Sequence, residues 1–125
     1  MKPTYKTLKS LCAATLLGCA LLVVAGCKSV PAPPTAEDAE ATWRDINKQS
    51  GMDGDLALVS LTKTDGQMAE VQGTKVYTFF YEVKEKHLTK LGNWQPGQIE
   101  TVKSNYGFQL TEKGWQGPTG RVFPK

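Results

Sequence analysis

Few side chains in this chain of 125 residues could do covalent or acid–base chemistry, and their placement narrows the options. Three cysteines stand at Cys12, Cys19 and Cys27, and His87 is the one histidine. Cys27 closes Val24-Ala25-Gly26-Cys27, an aliphatic and two small residues before a thiol. Of these groups a cysteine thiolate is the strongest nucleophile. His87 ends the stretch Tyr77 to His87, in which strict alternation puts it on the face of Tyr77, Phe79, Tyr81 and Val83. There it is the one candidate acid or base of a concave site, with Tyr81 or Glu85 as partner. The plainer expectation is a strand-end histidine, partly exposed at the rim beside Lys86. A serine triad would have to use the same histidine. No glycine-rich phosphate loop followed by Lys-Ser/Thr is present. Asp53 and Asp55 beside Gly54 lack the remainder of a twelve-residue calcium loop. A single histidine rules out zinc-finger-type metal sites. The reading is therefore not an enzyme, with no catalytic residue, metal or cofactor expected.

The context of Cys27 is the most informative feature of the chain. Lys2, Lys6 and Lys9 precede an apolar run from Leu11 to Ala25. That run, as helix, spans about 22 Å at roughly 1.5 Å per residue. A permanent span of a bilayer core needs about 20 apolar residues, so the run suits an export signal better than an anchor. Basic segment, short apolar core and terminal box together resemble the lipobox signal peptide of bacterial lipoproteins. The resemblance implies cleavage between Gly26 and Cys27, a diacylglycerol on the Cys27 sulfur, and partnership with a lipid membrane through that residue. Leu16-Leu17-Gly18-Cys19 has similar local chemistry, but cleavage there would leave an apolar core of only Leu11 to Leu17 and expose Leu21 to Ala25. Lys28, in place of an aspartate, implies by the same resemblance the outer membrane, facing the periplasm. Two or three acyl chains anchor stably where one binds marginally. The chain as written is then a precursor, with residues 1–26 as signal, 27–34 as lipidated cysteine and proline-rich linker, and 35–125 as one domain.

Processing changes the bulk properties. The chain has 15 Lys+Arg against 12 Asp+Glu, and the signal takes away three lysines and no acid, leaving a neutral remainder. A nucleic-acid footprint needs a basic stripe, and none survives, so no nucleic-acid partner is expected. Cys12 and Cys19 also leave, so no disulfide framework remains despite an oxidising compartment.

These residues need a scaffold, and the pattern supplies one. Ser29 to Pro34 reads as an extended stalk. Thr35 with Asp38 resembles a capping box opening a helix. Ala36, Ala39, Trp43 and Ile46 share one helical face, and Gly51 is a stop. Strand signals follow from Leu56 to Thr64 and from Gln67 to Val71, with Asp65-Gly66 between them as a hairpin turn. Gly73 reads as a bulge or turn. Val76 to His87 is the clearest strand, with Glu82, Lys84, Glu85 and Lys86 as a charged surface. Leu88 to Gly97 is a loop. Ile99 to Thr111 is a strand with Gly107 as a candidate bulge. Turns at Glu112-Lys113-Gly114 and Gly117 to Gly120 bring a closing hairpin. The expected class is α+β, one N-terminal amphipathic helix packed on a curved antiparallel sheet of four to six strands.

Lys63-Thr64-Asp65-Gly66-Gln67, Tyr77-Thr78-Phe79-Phe80-Tyr81 and Thr111-Glu112-Lys113-Gly114-Trp115 resemble pieces of small bacterial domains of cystatin-like or NTF2-like shape. That resemblance implies a partner-binding or structural module in the envelope, its partner another envelope protein, a periplasmic enzyme or peptidoglycan. An NTF2-like pocket near His87, binding a small ligand or doing chemistry, is the alternative. Of the aromatics, Phe80 faces away from the main set and Trp94 sits in a loop, which makes them the candidate binding residues. A second small cluster beneath the Leu88–Gly97 loop would explain Trp94 equally well.

Overall fold

The computed structural model describes residues 30–125, so Gly26, Cys27 and the whole of residues 1–26 lie outside the described residues. Thr35 sets where the first element begins. Its hydroxyl accepts the Asp38 N–H at 3.2 Å, while its own N–H donates to the Asp38 carboxylate at 2.9 Å. This reciprocal box opens helix α1, Ala36–Gln49. Gly51, at φ 77°, takes the left-handed step that ends it without a Cβ clash. Ala39 and Trp43 are buried, with Ala36 and Ile46 packed against the same core, as their spacing predicts. Thr42 and Asn47 are buried too, because the helix satisfies them. Their side chains donate to the carbonyls of Asp38 and Trp43 at 2.9 and 2.8 Å.

Five strands follow, β1 (Leu56–Val71), β2 (Thr74–His87), β3 (Ile99–Thr111), β4 (Gly114–Gln116) and β5 (Val122–Pro124). They lie in chain order across one open antiparallel sheet, so the described residues form an α+β domain of one helix and five strands. Asp65-Gly66 does not turn. It lies inside β1, opposite Phe80 and Phe79. The turn is Gln72-Gly73, whose φ values of 51° and 82° match the two left-handed steps of a type I′ hairpin. Local turn chemistry at Asp65-Gly66 is overridden because β2 offers a partner along its whole length. Gly66 serves a different end, since a Cβ there would collide with the Tyr77 hydroxyl lying across it. Gly107 is not a bulge either, and pairs with Thr78 in unbroken register. The irregularities fall in β1, between Leu58 and Ser60 and between Lys63 and Asp65, where they bend the strand.

The inner face of the sheet carries Leu56, Leu61, Tyr77, Phe79, Tyr81, Val83, Tyr106, Phe108 and Trp115, all buried with Ala39 and Trp43 of the helix. Phe79 and Phe108 are fully buried. The far side of α1 is tied to the opposite sheet edge by Arg121, whose Nε lies 3.2 Å from the Asp45 carboxylate.

Candidate functional site

The polar groups that the alternation carries inward meet at one end of β2. Trp43 donates its indole N–H to Glu85 at 2.7 Å, linking helix to sheet. Glu85 stands opposite Glu100 in the β2–β3 register. Glu100 in turn lies 2.9 Å from His87 Nε2, and the His87 ring stacks on Trp94 with centroids 4.8 Å apart and planes 6° from parallel. Two carboxylates facing each other across a ladder repel. Here each has a separate N–H donor, so the pair becomes a bridge between α1 and the Leu88–Gln98 loop.

His87 is 1% exposed, which corrects the expectation of a histidine at the rim. Glu85 is corrected likewise, from surface charge to helix anchor. Trp43 of α1 reaches Glu85, and the loop folds Trp94 onto the imidazole. That loop is held at the His87 backbone itself. The His87 N–H donates to Gln98 O at 2.8 Å, and its carbonyl accepts the Gly97 N–H at 2.7 Å. A second exchange of N–H···O bonds between Leu91 and Trp94, at 3.0 and 2.9 Å, closes a tight turn over Gly92-Asn93. His87 Nδ1 is buried with no hydrogen-bond partner among the described residues. The arrangement fits the tautomer that carries its proton on Nε2 and donates it to Glu100, leaving a bare lone pair on Nδ1.

Phe80 and Trp94 do not come together. Phe80 lies on the other face of β2, half-buried between Asp65 and Asn105 of the flanking strands. Trp94 belongs to the cluster beneath the loop. Further along the inner face the rings of Tyr81 and Tyr106 lie with centroids 4.6 Å apart and planes tilted by 35°. Burial, reinforced by a hydrogen bond with Tyr81, pushes the Tyr106 phenol well above its ordinary range. Lys63 stands over the rings of Tyr77 and Phe79 at 5.3 and 5.7 Å, so its charge faces aromatic surface.

Open space lies on the helix flank. A groove of about 380 Å³ runs between α1 and the first residues of β1, with Trp43, Arg44, Lys48, Asp53, Leu56 and Leu58 among its lining. His87 and the tyrosines are not part of it. Nothing in the residue order singles out Arg44, Lys48 or Glu100. A run of charges at helix i, i+4 spacing is ordinary surface, and only the position of β1 makes Arg44 and Lys48 a wall.

Among the described residues no three His, Cys, Asp or Glu side chains group as a metal site requires. None of their helices is long and apolar enough to cross a membrane. Compared with models of known families, with characterised proteins and with solved structures, the chain matches none.

Proposed function

We propose that this protein is a bacterial envelope lipoprotein, anchored through acylated Cys27, whose domain is a non-enzymatic binding module of cystatin-like or NTF2-like shape. The anchor rests on the order of charge, apolar run and Val24-Ala25-Gly26-Cys27 in the sequence. The geometric observation that carries the binding reading is the closure of the concave face. The one candidate acid or base, His87, is sealed under Trp94 and held by Glu100. Among the described residues one helix runs ahead of an antiparallel meander, which supports the cystatin-like shape more than the NTF2-like one, whose usual form has several N-terminal helices. Lys28 supports the outer membrane, facing the periplasm, and an envelope protein or peptidoglycan is the partner class.

Fractionation of cells making the protein or its Cys27→Ser variant, with cross-linking in intact envelopes, tests this. The reading expects the native protein in the membrane fraction with a cross-linked partner, and the variant released into the soluble fraction. Identical distribution of the two would contradict it.

A further inference from the structure

The groove beside α1 has a strand edge for one wall. Among the described residues β1 is the terminal strand of the sheet and pairs with β2 alone. The Leu56 N–H donates to Met52 O at 3.2 Å, away from β2, while the Asp55 carbonyl accepts the Leu88 N–H at 2.8 Å on the β2 side. Alternation along the strand therefore turns the backbone N–H and C=O of Leu58 to the open edge, as it does the Leu56 carbonyl. Beyond Leu58 the register breaks at the first irregularity, and again after Lys63. Such breaks blunt an edge against indefinite pairing. The regular edge is thus only a few residues long, and it is the part that α1 faces across the groove.

The chemistry of the opposite wall selects the occupant. Arg44 and Lys48 lie one turn apart on the helix flank, against a single acid, Asp53. Among the described residues Arg44 pairs with Glu40 alone, at 3.7 Å, with the guanidinium side chain 61% exposed. An exposed pair of that kind is weak enough to be exchanged for another carboxylate. Between the walls, Trp43 and Leu58 supply apolar floor. A strand-shaped segment laid along Leu56–Leu58 would place alternate side chains toward Arg44 and Lys48, and main-chain bonds would provide sequence-independent affinity.

Resting on the binding-module reading, we infer that the edge of β1 beside α1 is a docking site for a short extended peptide segment bearing acidic side chains. The partner adds a strand at Leu56–Leu58 and sets its carboxylates against Arg44 and Lys48.

The test uses the full-length protein as cells produce it, purified in mild detergent and titrated by NMR with the acetylated, amidated peptide Glu-Val-Glu-Val-Glu-Val. The expected result is shifts at the Leu56–Leu58 amides and the Trp43 indole. Affinity should fall at least tenfold for the Lys-Val-Lys-Val-Lys-Val peptide, and equally for Arg44→Gln combined with Lys48→Gln. Methylation of alternate peptide nitrogens in the ladder-forming register should abolish binding. Equal binding of the lysine peptide, an unaltered affinity in the double variant, or the absence of shifts at Leu56–Leu58 would overturn the inference. In those cases a partner still cross-linked to the native protein in intact envelopes, through another surface, would leave the broader reading standing. Loss of both membrane attachment and cross-linking would remove that reading as well.

Discussion

The two ends of the β2 inner face obey one alternation and are closed by different physics. At the Tyr77–Phe79 end the cover is aromatic, with Trp115 centred 6.2 Å from Tyr77 and Phe123 centred 6.0 Å from Phe108. At the Glu85–His87 end the cover is polar, through Trp43, Glu100 and the stacked Trp94. Ring packing gains from buried area and tolerates a range of angles. Hydrogen bonds to carboxylates demand one arrangement and lose most of their worth when it is missed. The aromatic end thus carries the larger share of stability, while the polar end fixes where α1 and the loop stand. The groove beside β1 depends on the second.

The largest effect should come from the aromatic end. Phe79→Ala removes a fully buried ring, and truncations of this kind cost about 3–5 kcal/mol. Urea unfolding of the variant should show a midpoint lowered accordingly. A loss under 1 kcal/mol would mean that the apolar end is not where stability resides.

Trp43→Phe sharpens the contrast, because it keeps the ring in the core and deletes only the donor to Glu85. Hydrogen bonds to charged groups contribute roughly 1.5–3 kcal/mol, and partial exposure of the Glu85 carboxylate puts this one at the lower end. The discriminating readout is positional. Chemical shifts should move along α1 and at Leu56–Leu58 while those of Phe108 and Trp115 stay in place. Glu85→Gln should be nearly silent when added to Trp43→Phe, since the two share one bond.

The smallest effect at neutral pH, and the clearest sign, belongs to Tyr106. Its phenol is raised in the folded state above the ordinary value of 10.0, through burial first and the bond with Tyr81 second. Below that value neither state ionises and the full contribution is present. Above it the unfolded chain releases a proton that the folded chain retains, so stability falls as pH rises. Tyr106→Phe should flatten the decline of unfolding free energy above about pH 10 and leave neutral-pH slopes unchanged.

Much of this scaffold could be read from residue order. Thr35, Asp38 and Gly51 bounded α1, and the alternation from Tyr77 placed β2 correctly through His87, because caps and two-residue periodicity are local. What was not legible depended on neighbours across the sheet. Asp65-Gly66 had the local chemistry of a turn and was drawn into β1 by a long partner strand. Phe80 and Trp94 looked alike as spare aromatics, yet one stands on the outer face and the other stacks on His87. Glu85 sits among Glu82, Lys84 and Lys86 in the sequence, and only the position of α1 separates it from them. Glu100 carried no signal, since its role comes from lying opposite Glu85 and beside His87.

Everything proposed about function starts from a modified sulfur at residue 27, and intact mass spectrometry of the protein purified from envelopes tests it most directly. The predicted species begins at Cys27 and carries the added mass of diacylglycerol with or without a third acyl chain. A species that starts at Met1, or one with an unmodified thiol at Cys27, would contradict the account.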